Sequence, residues 1–258
     1  MPVIPNRGKQ IYIEKNVDIP GMLRPASVYD LALFLELGRT DRAVLVVTPI
    51  CRINFVNGSG SSLNWSAKEK TDFMQDLRDA WTAVWSEKHV LKTVTKTALT
   101  YDTISVLFDI QVSDSLGSTS HSHWDVKITK IASGSFKIST TANPYPLGIL
   151  NGSVELDSED LIALNKGSTQ KQRGAVHEFG HMMGFKDEYV NKSGTPVGVA
   201  AWTTDLISIM NLGETVRPRH YIFLAHWCNE QHMYLGQLSK QPIEWKVNGS
   251  VNMATAMV

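Results

Sequence analysis

Apolar residues recur at two different spacings along the chain, and the change falls near residue 66. Before it the apolar runs are short. Ile11-Tyr12-Ile13, Ala43 to Val47 and Arg52 to Val56 predict strands, the last two interrupted by Pro49. Ser27 to Leu37 (S-V-Y-D-L-A-L-F-L-E-L) instead has three- and four-residue spacing and a stop at Gly38, which predicts a helix. Pro20-Gly21 predicts a turn, and N-G-S-G-S-S-L-N at 57–64 a loop.

From Ser66 the helical period is clear. Ser66 and Glu69 have capping-box spacing, and Phe73, Leu77, Ala80, Trp81, Val84 and Trp85 follow at intervals of three and four, to about Lys88. Trp81, Trp85 and Phe73 are expected core residues. Strand-like runs come next at Thr103 to Val112, Trp124 to Ile131, Ser135 to Thr141 and Ile149 to Leu156. Pro144 and Pro146 break the chain between the last two. Further helices are predicted over about Thr169 to Met183 and Pro218 to Leu235. The expectation is one α+β domain over 1–258. It has a β-rich part at 1–60, a core at 61–240 with a long early helix and mixed strands, and a C-terminal extension at 241–258.

The segment A-V-H-E-F-G-H-M-M-G-F-K-D-E-Y at 175–189 carries the chemistry. On a helix Val176, Phe179, Gly180 and Met183 share one face, and His177 and His181 project together from the next. Two imidazoles one turn apart can bind one metal ion at ~2.0 to 2.1 Å. Glu178 then lies beside it as a general base for water, the arrangement H-E-x-x-H. Gly184 permits the left-handed conformation that ends a helix. A reversal there carries Asp187 towards the metal as third ligand. Glu214, Glu188 and His220 are alternative third ligands, since zinc takes a carboxylate or imidazole at similar distances.

The full pattern, H-E-x-x-H-x-x-G-x-x-D, resembles the metzincin clan of zinc peptidases in the version with Asp as third ligand. It is most similar to the snapalysin type. S-I-M-N-L-G at 208–213 resembles the clan's Met-turn, with Met210 as its methionine. The resemblance spans 175–213 and implies a metzincin-like fold, a Zn2+ cofactor and a protein or peptide substrate lying along an edge strand. Tyr189 and Tyr221 become candidates to stabilise an oxyanion. The segment also resembles metallopeptidase toxin domains of bacterial contractile and type VI secretion machines. That implies a secretion-machine carrier and delivery by a route independent of a signal peptide. S-G-T-P-V-G at 193–198 suggests a loop over the cleft.

Composition narrows the partners. Lys plus Arg and Asp plus Glu are 25 each, so no net charge draws the chain to nucleic acid or an anionic membrane. No run reaches the ~18 apolar residues of a membrane span, and the first residues lack the apolar stretch of a signal peptide. Cys51 and Cys228 can pair or stand as small buried apolar residues, the latter being the expectation. His121 and His123 in H-S-H-W share one side of an expected strand end and read as solvated. R-P-R-H-Y at 217–221 reads as a helix start with surface ion pairs. Two other functions fit the motif: a metal-dependent amidase acting on a cell-wall component, and a non-catalytic binding module stabilised by metal.

Overall fold

The computed structural model describes residues 7–18, 28–39, 41–94, 101–115, 121–142, 151–165, 170–191, 193–235 and 244–248. Its architecture is α+β: two mixed sheets, two small hairpin sheets and three α-helices among these residues. The first sheet contains β1 (Arg7–Val17), β2 (Tyr29–Glu36), β3 (Arg42–Thr48), β5 (Val90–Thr93), β6 (Thr103–Phe108) and β15 (Trp245–Val247), in the order β1-β2-β3-β6-β5-β15. Only the central β3–β6 pair is parallel. The second sheet contains β4 (Ile50–Val56), β7 (Gln111–Ser113), β8 (Trp124–Thr129), β9 (Thr140–Ala142) and β10 (Gly152–Asp157). Its order is β7-β4-β8-β10-β9, parallel except for the antiparallel edge strand β9.

The two sheets share a bent parallel pair. β3 runs through Pro49 into β4, and β6 runs through Asp109 and Ile110 into β7. Hydrogen bonds from Asp109 N to Val47 O (2.9 Å) and from Gln111 N to Pro49 O (3.0 Å) carry the ladder across the bend.

The helix predicted over Ser27 to Leu37 is a strand, β2. Leu31 and Leu33 face the main core, while Phe34 and the partly buried Ala32 face a second cluster with Val44 and Val46. A strand apolar on both faces loses its two-residue alternation, and its run imitates a helix. The strand expected over Ser135 to Thr141 is regular only from Thr140, and Pro144 and Pro146 lie outside the described residues.

Helix α1 (Ala67–Trp85) carries the Ser66–Glu69 capping box, with Ser66 N donating to Glu69 Oε2 (2.8 Å). Its buried face is the one expected: Phe73, Leu77, Ala80, Trp81, Val84 and Trp85. The next predicted helix begins later than expected. Lys171–Gln172 (β12) pairs with Leu164–Asn165 (β11), and α2 occupies Gly174–Met182. The two tryptophans of α1 dock onto it, Trp81 Nε1 donating to Ala175 O (2.7 Å) and Trp85 Nε1 to Val176 O (3.2 Å). Buried indoles that find a partner add direction to an apolar contact, so α1 fixes where α2 begins. Pro218–Tyr221 forms a 3-10 turn leading into α3 (Ile222–Leu235). Cys51 and Cys228 are buried free thiols, as small apolar residues would be.

Candidate metal centre

Helix α2 sits with Val176, Phe179 and Met183 fully in the core, so its neighbouring face has one orientation. From that face project His177 and His181, their ring centroids 4.8 Å apart and nearly perpendicular. The helix then ends in a Schellman motif: Phe185 N donates to Gly180 O (3.1 Å) and Gly184 N to His181 O (2.9 Å), with Gly184 at φ +92. The reversal returns the chain over the histidines. Asp187 Oδ1 comes to 3.2 Å from His177 Nε2 and 3.3 Å from His181 Nε2.

The other ring nitrogens decide what these contacts mean. His177 Nδ1 lies 2.8 Å from Ile209 O and His181 Nδ1 lies 2.7 Å from Phe185 O. A carbonyl only accepts, so both Nδ1 atoms carry protons, and each ring in its neutral form presents a lone pair at Nε2. In that form two lone pairs and a carboxylate oxygen converge, a donor set that could hold a cation. Ligands at 2.0 to 2.1 Å from a tetrahedral ion stand roughly 3.3 to 3.4 Å apart, and the two Asp187 contacts match that spacing.

Asp187 owes its position to two backbone supports. A hairpin of β13 (Glu188–Val190) and β14 (Pro196–Gly198) follows it where a loop was expected. Val199 N donates to Asp187 O (2.8 Å), and Glu188 N donates to Met210 O (2.8 Å). Met210 lies in a tight turn where Asn211 N and Gly213 N both donate to Ser208 O. Gln172 Nε2 clamps this turn, within 3.1 Å of the carbonyls of Ile209, Asn211 and Gly213. The Met210 sulfur is packed so closely beneath Gly180 that no Cβ fits between them. The turn thus supports the helix, the Asp187 backbone and, through Ile209 O, the His177 ring.

Glu178 is buried at 6% exposure, and Thr141 Oγ1 on β9 donates to its Oε2 (2.8 Å). Its ligand atom lies within 4.8 Å of those of His177 and His181. Thr141 and Gln172 had no motif to mark them. Both act through contacts 37 or more residues away.

The alternative third ligands are engaged elsewhere. Glu214 pairs with Arg173 at the start of α2, through Nε (2.9 Å) and Nη2 (2.7 Å). Glu188 is buried in a fork from Arg219 (2.7 and 2.6 Å) and accepts from Ser208 Oγ (2.6 Å). Burial would raise this carboxyl, but Arg219 and His220 hold it down to about 2. His220 stands 3.4 Å from the same carboxylate and accepts from Arg217 N. The expected surface ion pairs of 217–221 are therefore partly interior, since Arg219 is only 8% exposed. Tyr221 is fully buried and donates to Trp85 O. Tyr189 is the tyrosine at the site: burial and the charge of the nearby Asp187 carboxylate raise its hydroxyl above the usual range.

His121 and His123 form a second cluster, with their Nε2 atoms 3.2 Å apart. The expected solvated strand end is wrong for His123, which is fully buried 3.4 Å from Asp30 Oδ1. Its tautomer is the reverse of the first pair's. Ile50 N donates to His123 Nδ1 (3.0 Å), so the neutral ring's proton is on Nε2 and no lone pair faces Asp30. This cluster is a hydrogen-bonded joint between sheets, not a ligand set.

Comparison of the chain with protein-family models, curated proteins and solved structures finds no match. Among the described residues no helix is long and apolar enough to cross a membrane.

Proposed function

We propose that the chain is a zinc-dependent endopeptidase of metzincin-like organisation. The observation that carries this reading is the convergence of two imidazole lone pairs and Asp187 Oδ1 beside a buried carboxylate. A structural zinc site is closed by four protein ligands, whereas here Glu178 stands where a fourth ligand or a base would be, tethered to Thr141. His177, His181 and Asp187 would hold the ion, which when bound supplies Lewis acidity for the peptide carbonyl and for an attacking water.

The chain's own groups do the rest. Glu178 takes the proton of the water and passes it to the leaving amine, with Thr141 fixing one carboxylate oxygen. The Nδ1 bonds to Ile209 O and Phe185 O keep both rings oriented through the cycle. Tyr189, close enough to Asp187 to feel its charge, would be the phenol that stabilises a developing oxyanion. Strand β9 pairs only with β10 among the described residues, so its outer edge can take an extended substrate by β-augmentation.

Glu178→Ala in the zinc-loaded protein tests the reading against a panel of peptides and peptidoglycan fragments. Hydrolysis of peptides should fall by about 10² to 10⁴-fold with zinc content unchanged. Undiminished turnover, or turnover of peptidoglycan alone, would overturn it.

A further inference from the structure

Two buried acids close the turn that follows β10. Asp157 N donates to Asp160 Oδ2 (2.7 Å) and Glu159 N to Asp157 Oδ1 (2.7 Å), and both aspartates are buried. Asp160 also faces the first turn of α2. Ala175 N donates to its carbonyl (3.1 Å), and a Cβ on Gly174 would stand 2.0 Å from its Oδ1. Its carboxylate accepts from Ser139 Oγ at 2.7 and 2.8 Å, just before β9 begins. Two residues on, Thr141 Oγ1 donates to Glu178 Oε2 (2.8 Å). Glu178 stands one helical turn beyond Gly174, on the same flank of α2. Two residues of extended chain reach about 7 Å and four of helix about 6 Å. The links Ser139–Asp160 and Thr141–Glu178 therefore lie side by side.

We propose that Asp160 is a positioning residue for the general base: through Ser139 it fixes the entry of β9, so that Thr141 holds the Glu178 carboxylate in one orientation. This rests on the peptidase reading above. β9 is three residues long and pairs only with β10 among the described residues, so its own ladder holds it weakly. Asp157 helps from the same turn, accepting from Lys137 N (3.0 Å). Asp160 adds what backbone pairing cannot, because its other contact is the helix that carries Glu178. Without that anchor the Thr141 hydroxyl can drift from the carboxylate, and a misplacement of about 1 Å can lower a rate by about 10²-fold. Burial pushes the Asp160 carboxyl up to about 6, with the charges of Asp157 and Glu178 adding to the rise against two hydrogen bonds. Strongly shifted buried acids cluster at functional sites.

The test uses the zinc-loaded full chain at about pH 7.5, where Asp160 is ionised, and one peptide that wild type cleaves. Ser139→Ala should lower kcat by about tenfold with zinc content unchanged. Ser139→Thr, which keeps the hydroxyl, should retain most of the wild-type value, and Asp160→Ala should match Ser139→Ala. In a Thr141→Val background Ser139→Ala should cost little more, because both side chains act on Glu178 by one route. In the zinc-free chain, amide exchange at β9 should quicken in Ser139→Ala. Wild-type kcat in Ser139→Ala, or a tenfold loss repeated in full in the Thr141→Val background, overturns the proposal and leaves the peptidase reading standing. The cycle on Ser139 and Thr141 decides even where Asp160→Ala does not fold. Absence of any peptide cleavage by zinc-loaded wild type overturns both.

Discussion

Gly198 lies directly against the backbone of Asp187, at φ +74 and with no room for a Cβ beside the Asp187 carbonyl. The next residue's N–H donates to that same carbonyl. The hairpin thus grips the residue that brings the carboxylate to both histidines. A site that would be assigned to one helix is held from a strand eleven positions further on.

Gly198→Ala should therefore weaken zinc without touching a ligand. Alanine is strained at that φ and collides with the Asp187 backbone. Displacing a supporting group usually lowers metal affinity by about 10 to 100-fold. Chelator competition measures the change, and an affinity equal to wild type would dismiss the hairpin's role.

Asp187→Ala and Glu214→Ala should separate cleanly. Losing Asp187 removes one of the three converging atoms and should release zinc at chelator concentrations that wild type resists. Losing Glu214 leaves Arg173 without its carboxylate at the start of α2, so thermal stability should fall while zinc affinity stays within about tenfold of wild type. The opposite pattern would move the third ligand to Glu214.

Chelation should lower the melting temperature of wild type. An ion that binds only the folded chain stabilises it by about 2.7 kcal/mol at a hundredfold excess over Kd. For a chain of this size that is roughly 5 to 10 °C. His181→Ala should melt at one temperature with or without zinc. A zinc-dependent shift in that variant would place the ion elsewhere.

His123 gives a pH dependence with a definite sign. Burial pushes its pKa down from 6.5 to about 4, against the opposing pull of Asp30. The unfolded ring binds a proton below about 6.5, while the folded ring resists until about 4. Stability contributed by the neutral ring is thus full above pH 6.5 and is lost as pH falls from there to about 4. His123→Asn keeps an acceptor for Ile50 N but cannot titrate. Urea midpoints at pH 7.5, 5.5 and 4.5 should drop less in the variant than in wild type. Parallel curves would show that His123 does not set the acid limb.

Local signals explain what could be read from the chain directly. The Ser66–Glu69 box, the period of α1, the ring pair on α2 and the reversal at Gly184 each lie within a few turns of chain. Side-chain spacing fixes such features before any tertiary contact forms. The β2 error has the same origin inverted: a strand buried on both faces has no polar alternation to distinguish it. Beyond local reach the sequence was silent. Nothing near residue 123 announces Asp30, which arrives from another strand through the β2–β3 pairing. Likewise Glu188 looked like a spare ligand until Arg219, 31 residues away, was seen to occupy it.

The bent pair of strands shared by the two sheets has a dynamic consequence. β3 and β4 are one run of backbone, as are β6 and β7, and their ladder continues across the bend. Amide protons on either side of it should therefore exchange through the same opening event, as one foldon. A protease nick in the loop at 57–64 would leave β4 still hydrogen-bonded between β7 and β8. Removing residues 1–60, in contrast, takes out an interior strand of the very sheet whose edge carries Thr141. A minimal fragment built around α2 alone should exchange its amides at rates close to those of an unfolded chain.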